Sequence, residues 1–81
     1  MTLDQAAKIY QWSKSHDHTS ETIEDGKIVA IEGLGLWEGD LLYLEEQIPD
    51  LVIATRSRVD HGANGVWLRV DLRLASDTLH P

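Results

Sequence analysis

Residues 66–74 read Val-Trp-Leu-Arg-Val-Asp-Leu-Arg-Leu, and this stretch decides the fold class. Apolar residues at every second position alternate with Trp67, Arg69, Asp71 and Arg73. A period of two is typical of a β-strand that turns one face to a core and the other to water. A helix has 3.6 residues per turn and would scatter the five apolar side chains around its axis. We therefore predict a strand over the whole stretch.

The residues just before this strand predict its hairpin partner. Residues 51–59 are rich in β-branched side chains and form a second predicted strand. Residues 60–65, between the two strands, contain an Asn-Gly pair and a further glycine, a combination that favours a hairpin loop. We therefore expect the two strands to pair in antiparallel fashion.

A second hairpin is predicted earlier in the chain, with its turn at Asp25-Gly26. Glycine tolerates the positive φ that a tight type I′ turn requires. A two-residue loop pairs Glu24 with Lys27 and, one step further from the turn, Ile23 with Ile28. The opposite charges of the first pair favour this register slightly.

Each hairpin follows a predicted helix. Residues 2–15 combine an apolar stripe at helical spacing with Thr2 and Gln5 in capping-box positions. After a glycine-rich bend, Asp40 is predicted as the N-cap of a second helix. Pro49 disfavours helical backbone at the residue before it, so the second helix ends there or earlier.

The element order α-β-β-α-β-β predicts an α+β fold: one four-stranded antiparallel sheet with two short helices on one face. The length of 81 residues predicts a single domain over 1–81. Residues 75–81 have little pattern and are expected to fray. The apolar run 28–31 favours a central strand, and we expect a second copy of the chain or another partner to cover part of the open sheet face.

Composition excludes several classes of protein. At 42% hydrophobic residues the chain is globular rather than disordered, and the lack of cysteine excludes a disulfide scaffold, a zinc–thiolate site and a cysteine nucleophile. No apolar run is long enough to span a membrane, and the start lacks signal-peptide character, so we expect a cytoplasmic protein. Fourteen acidic against seven basic residues give a net charge of −7, which disfavours phosphate-driven binding to nucleic acid.

Charge is distributed unevenly along the chain. Residues 1–50 hold eleven acids and three lysines, whereas residues 51–81 hold four arginines and three aspartates. Side chains alternate between the two faces of a regular strand. If both C-terminal strands are regular, all four arginines and one tryptophan lie on the sheet face that points away from the core. Arginine suits bidentate recognition of carboxylate or phosphate, and exposed tryptophan suits an interface. We therefore predict a partner-binding face formed by Arg56, Arg58, Trp67, Arg69 and Arg73.

The acidic half offers an alternative binding surface. A dense group of carboxylates can engage a basic groove on another protein by electrostatic complementarity, including a groove that otherwise holds nucleic acid. The predicted second helix and its flanks supply such a group. This alternative acidic face consists of Asp40, Glu45, Glu46 and Asp50.

Two segments contain residue types that catalyse reactions or bind metals. His16, Asp17 and His18 have the chemistry of metal ligands, but neighbours two apart do not share a helix face, and we expect a solvated loop. His61 beside Asp60 has the chemistry of an acid–base pair, but adjacent side chains point apart and no nucleophile motif accompanies them. We therefore predict no catalytic residue, no metal site and no cofactor.

These observations predict a small acidic, non-catalytic binding module that regulates or inhibits another protein by direct contact. Our hypothesis for the target is a host nucleic-acid-handling machine, which a chain encoded by a phage or mobile element would block. One alternative is a nucleic-acid-binding protein that uses the arginine and tryptophan sheet face. Another is a small hydrolase or metal-dependent enzyme centred on His61 or on His16 and His18.

Overall fold

The computed structural model describes residues 1–76 and confirms the α+β class. No helix in this part of the chain is long and apolar enough to cross a membrane. A short 3-10 turn joins the last two strands. In chain order, the helices and strands are α1 (Leu3–Lys14), β1 (Thr19–Glu24), β2 (Lys27–Gly33), α2 (Glu38–Gln47), β3 (Leu51–Asp60) and β4 (Val66–Leu74).

The four strands form one antiparallel sheet in the order β1-β2-β4-β3. β4, the strand with the strict alternation, pairs with β2 on one side and with β3 on the other. The chain leaves β2, passes through α2 and returns as β3 at the far edge, with β4 between them. Because β2 and β3 are both antiparallel to β4, they run in the same direction, and a helix makes the connection between them.

Both helices contribute to one core on a single face of the sheet. Ile9 and Trp12 of α1, together with Leu41 and Leu44 of α2, pack in the same buried cluster as Val70 of β4. Helices therefore cover this face, and the opposite face of the sheet is open. Trp12 is buried in this core.

The first hairpin has the predicted turn and register. Asp25 and Gly26 have φ values of 51° and 75°, as a type I′ turn requires. The predicted pairs, Glu24 with Lys27 and Ile23 with Ile28, are both present.

The apolar run 28–31 has a local explanation. β1 pairs Thr22 with Ala30 and then Ile23 with Ile28, which leaves Val29 as an extra residue. This bulge turns Ile28 toward the helix-covered core, where it is buried. The run therefore gives no reason to expect a second chain against the open face.

α2 starts three residues earlier than predicted. Trp37 occupies the N-cap position, and Asp40 is the third residue of the helix, so the prediction of Asp40 as N-cap is wrong. The Trp37 backbone N–H donates to Asp40 Oδ2 at 2.9 Å. An aspartate at the third position of a helix can accept a hydrogen bond from the N-cap amide. The same residue type therefore suggested a helix start three residues after the real one.

Two separate sets of hydrogen bonds fix the start of α1 and the residues that follow β4. Thr2 and Gln5 form the predicted capping box, with both reciprocal hydrogen bonds present. At the other end, the Ala75 N–H donates to the Asp50 carbonyl oxygen at 2.8 Å, and the Ser76 hydroxyl donates to the Asp50 carboxylate at 2.7 Å. The remainder of the predicted frayed tail, residues 77–81, lies outside the described residues.

Candidate functional site

The predicted arginine face does not exist as a single surface. β3 pairs Ile53 with Leu72 and then Thr55 with Asp71, so Ala54 is an extra residue. One inserted residue moves every later side chain to the other face of the sheet. The prediction of one shared face is therefore wrong: Arg56 and Arg58 lie on the helix side, and Trp67, Arg69 and Arg73 lie on the open side.

Arg56 contacts α2 instead of solvent on the open face. Its Nε atom lies 3.0 Å from Glu38 Oε1, and its Nη2 atom lies 3.7 Å from Glu45 Oε1. One arginine thus joins two carboxylates that lie on the same side of the helix. All three side chains are partly exposed, so solvent screens the attraction and the pairs contribute little to stability.

The open face carries both signs of charge. Arg69 Nη2 lies 3.4 Å from Asp71 Oδ1, and the Thr55 hydroxyl donates to the other oxygen of the same carboxylate. Arg69 also lies opposite Glu32 in the register of β2 and β4. Arg73 makes no ion pair with the residues that the structure describes. This face is therefore close to neutral around Arg69 and does not form a basic platform.

His61 belongs to the open face and has a partner that sequence reasoning missed. Its Nε2 atom lies 3.4 Å from Glu32 Oε2, and its ring meets the Trp67 ring edge-on at 5.2 Å. The neighbouring Asp60 instead accepts from the Gly62 N–H at 2.8 Å. Glu32 lies 29 positions before His61, and only the pairing of β2 with β4 brings the two together. No serine or threonine hydroxyl among residues 1–76 is hydrogen-bonded to this imidazole.

The histidines near the end of α1 have separate roles. His16 Nδ1 donates to the Trp12 carbonyl oxygen at 2.8 Å, and its Nε2 atom lies 3.3 Å from Asp40 Oδ1. His18 takes a positive φ of 55° in the loop. Within residues 1–76, no three histidine or acidic side chains come together as a metal site.

Asp40 connects the C-terminal end of α1 to the N-terminal end of α2. The Trp37 backbone N–H holds the pKa of the Asp40 carboxyl below its ordinary value, partial burial acts in the opposite direction, and His16 lowers the pKa further. The Trp37 N–H is therefore the main group that favours the charged form of this carboxylate. We name this contact between His16 and Asp40 the helix clasp.

The predicted acidic face is dispersed around α2. Asp40 faces α1 through the helix clasp, Glu45 faces Arg56, and Asp50 accepts from Ser76. Glu46 alone of the four is exposed and makes no ion pair with a described residue. Even so, α2 contains four acidic and no basic residues, so the whole helix is negative.

α2 also exposes large apolar side chains. Trp37, Leu42 and Tyr43 have 73%, 57% and 56% of their surfaces exposed. Exposed apolar groups in polar surroundings are typical of protein-binding sites. The sequence contained a signal for this surface: Leu41 and Leu44 share a helix side at helical spacing, whereas Leu42 and Tyr43 lie off that side.

A groove separates α1 from α2. The helix clasp brings the C-terminal end of α1 to the first turn of α2. Residues of both helices line the groove, among them Lys8 and Gln47, and its volume is about 420 Å³. Trp12 and Leu44 form its apolar floor. Tyr43 contributes to one wall, so the groove continues into the exposed surface of α2.

Comparison of the chain with protein-family models, with curated proteins and with solved structures finds no match. The choice between candidate surfaces therefore depends on geometry. The open sheet face is charge-balanced around Arg69, whereas α2 carries the exposed carboxylate of Glu46, exposed aromatic side chains and one wall of the groove. The exposed residues of α2 and its N-cap, namely Trp37, Leu42, Tyr43 and Glu46, are together named the α2 surface below.

Proposed function

We propose that this chain is a small, non-catalytic binding module that acts by contact with another protein, and that the α2 surface makes the contact. The exposure of Trp37, Leu42 and Tyr43 on one acidic helix carries the proposal. Burial of a tryptophan or tyrosine at the centre of an interface commonly dominates the binding energy. An aromatic side chain left in water by the fold is available for that purpose.

The chemistry of α2 specifies a basic partner. Glu46 is exposed on α2 and makes no ion pair with a described residue, and the chain as a whole has a net charge of −7. Complementary charge accelerates association and excludes partners of the wrong sign. The same charge repels a second copy of this chain, so self-association stays a prediction that the charge distribution does not favour.

An inhibitory role follows from the same chemistry. Basic surfaces on proteins that handle nucleic acid attract phosphate through their positive potential. An acidic module with an apolar anchor competes for such a surface. We propose that the chain blocks a nucleic-acid-handling protein in this way and that it works in the cytoplasm.

The experiment compares two matched double variants of the immobilised chain in an extract of the source cell. Leu42→Ala with Tyr43→Ala alters the α2 surface, whereas Leu3→Ala with Tyr10→Ala removes the same side chains from exposed positions on α1. We expect a basic protein to be retained by the unchanged chain and by the α1 variant but not by the α2 variant. Retention should weaken as salt rises from about 0.1 to about 1 M, because the screening length falls from ~10 to ~3 Å.

Two outcomes would overturn the proposal. One is equal retention of every protein by the two double variants. The other is retention that nuclease treatment abolishes and that Trp67→Ala or Arg69→Ala weakens. That second result would assign binding to nucleic acid on the open sheet face, the alternative favoured by the partly exposed Trp67 next to His61.

A further inference from the structure

We infer that the groove between α1 and α2 receives a short basic amphipathic helix of the partner. The inference depends on the proposed function and specifies what the partner presents. Its support comes from the shape of the groove, the state of the surrounding backbone and the position of the charges.

The groove has the size and lining of a site for apolar anchors. Its volume of about 420 Å³ lies within the ~300–1,000 Å³ range of ligand-binding pockets. Trp12 and Leu44 form the floor, and the carboxamides of Gln11 and Gln47 lie on opposite walls. Leucine-sized side chains can bury their surface on the floor while the carboxamides contact polar groups beside them. The groove therefore suits a partner with an apolar stripe flanked by polar residues.

A helix fits this groove better than an extended segment. The backbone groups of α1 and α2 are hydrogen-bonded within each helix, so the walls offer no free edge to which a strand can add. An extended segment buried there would lose backbone hydrogen bonds to water without replacement. A helical segment satisfies its own backbone and presents apolar anchors at i, i+3 or i+4, and i+7.

The lengths of the walls set the length of the occupant. The lining residues run from Lys8 to Ser15 along α1 and from Tyr43 to Gln47 along α2, so at 1.5 Å per residue the walls extend for about 11 and about 6 Å. About two turns of a partner helix therefore cover the groove. The helix clasp between His16 and Asp40 holds the end of α1 near the start of α2.

Charge fixes the orientation of the occupant. Among the described residues, Lys8 on the α1 wall is the one charged side chain that lines the groove. The exposed Glu46 lies on α2 between the lining residues Tyr43 and Gln47 in sequence. Basic side chains of the occupant therefore face α2, and the side toward α1 is neutral or acidic. A second copy of this chain does not match, because its net charge of −7 repels another acidic surface.

The test uses synthetic peptides of about 15 residues, close to the shortest length at which an isolated helix becomes stable. The first peptide has leucines at positions 1, 4, 8 and 11 and mainly lysines and glutamines elsewhere. A control peptide has the same composition with the leucines moved out of helical register. A third peptide has glutamate in place of lysine. Each is titrated against the full chain by calorimetry, and helix content is followed by circular dichroism.

Two chain variants carry the same new side chain on opposite sides of α1. Gln11→Trp fills the groove, whereas Tyr10→Trp places tryptophan on the far side, where Tyr10 is 51% exposed. We expect Gln11→Trp to raise the Kd for the first peptide at least about tenfold and Tyr10→Trp to change it less than about twofold. Glu46→Gln should raise the Kd about two- to threefold at low salt only, and Glu24→Gln, at an exposed site away from the groove, should not. Thermal midpoints close to that of the unchanged chain show that the variants fold.

The inference is wrong if Gln11→Trp binds the first peptide as the unchanged chain does. It is also wrong if the out-of-register or acidic peptide binds equally well, or if the bound peptide gains no helix. Failure of the groove is distinguishable from failure of the proposed function. Suppose that the double variant at Leu42 and Tyr43 loses a captured protein and Gln11→Trp still retains it. The α2 surface then remains the binding site, and the proposal of a helix in the groove is wrong.

Discussion

Replacement of Asp40 by alanine tests the connection between the two helices. The change removes the acceptor for the Trp37 N–H at 2.9 Å and the partner of His16 Nε2 at 3.3 Å. Loss of a capping hydrogen bond costs about 1 kcal/mol. The pair with His16 is partly exposed and adds at most about 0.5 kcal/mol after screening. We expect the free energy of unfolding to fall by about 1–1.5 kcal/mol at pH 7.

The same variant has a defined pH dependence. Because the pKa of Asp40 is lowered in the folded state, chiefly by the Trp37 backbone N–H, the charged carboxylate stabilises the fold. This contribution is fully present above the ordinary aspartate pKa, about 4, and is lost as pH falls through the lowered value. The unchanged chain and Asp40→Ala should therefore differ most above about pH 5 and converge toward about pH 2.

The assay is thermal unfolding of both proteins across this pH range. For a domain of 60–100 residues, about 1 kcal/mol corresponds to roughly 4–8 °C in Tm. Asp17→Ala, at an exposed aspartate in the same region, is the matched control and should leave Tm unchanged within about 2 °C. A Tm difference that is the same at pH 7 and at pH 2, or absent at pH 7, would refute the assigned role of Asp40.

Three further predictions concern stability. Leu41→Ala should cost about 3 kcal/mol in denaturant unfolding because Leu41 is fully buried, whereas Leu42→Ala, one residue later and 57% exposed, should cost less than about 0.5 kcal/mol. Gly26→Ala should destabilise by about 1 kcal/mol because Gly26 has φ +75°, and Gly39→Ala should stabilise by about 0.5–1 kcal/mol because Gly39 is helical with open space around it. Arg56→Ala should lower Tm by no more than a few degrees at low salt, and the effect should vanish at high salt, because its ion pairs are exposed.

The parts of the fold that depend on neighbouring residues were predictable. Alternation in β4 predicted Val66–Leu74 to the residue, and the Asp25-Gly26 turn predicted the register of the first hairpin. Both signals arise from interactions between residues close in sequence: side chains alternate along one strand, and a two-residue turn leaves one way to pair its flanks. The capping box at Thr2 is local in the same sense.

The candidate binding surface was predicted less well, because one extra residue in β3 decides it. If side chains alternate regularly from Leu51, Arg56 lies on the same sheet face as Arg69. The bulge at Ala54 moves Arg56 to the opposite face. Nothing in the composition of β3 distinguishes a regular strand from a bulged one. A bulge leaves one residue of the strand without a partner in the sheet. It forms where the packing energy of the two strand ends against the rest of the fold exceeds the energy of that lost pairing.

By itself, the sequence determined the element order, both hairpins, the α+β class and the negative charge, since these depend on periodicity, turn residues and composition. Tertiary structure alone decided which side chains meet across long separations. The sheet order brings His61 to Glu32, the helix clasp brings His16 to Asp40, and packing of α2 leaves Tyr43 in water beside a groove. Such contacts depend on where elements pack, and packing sums many small contributions from the whole core that no short stretch of sequence encodes.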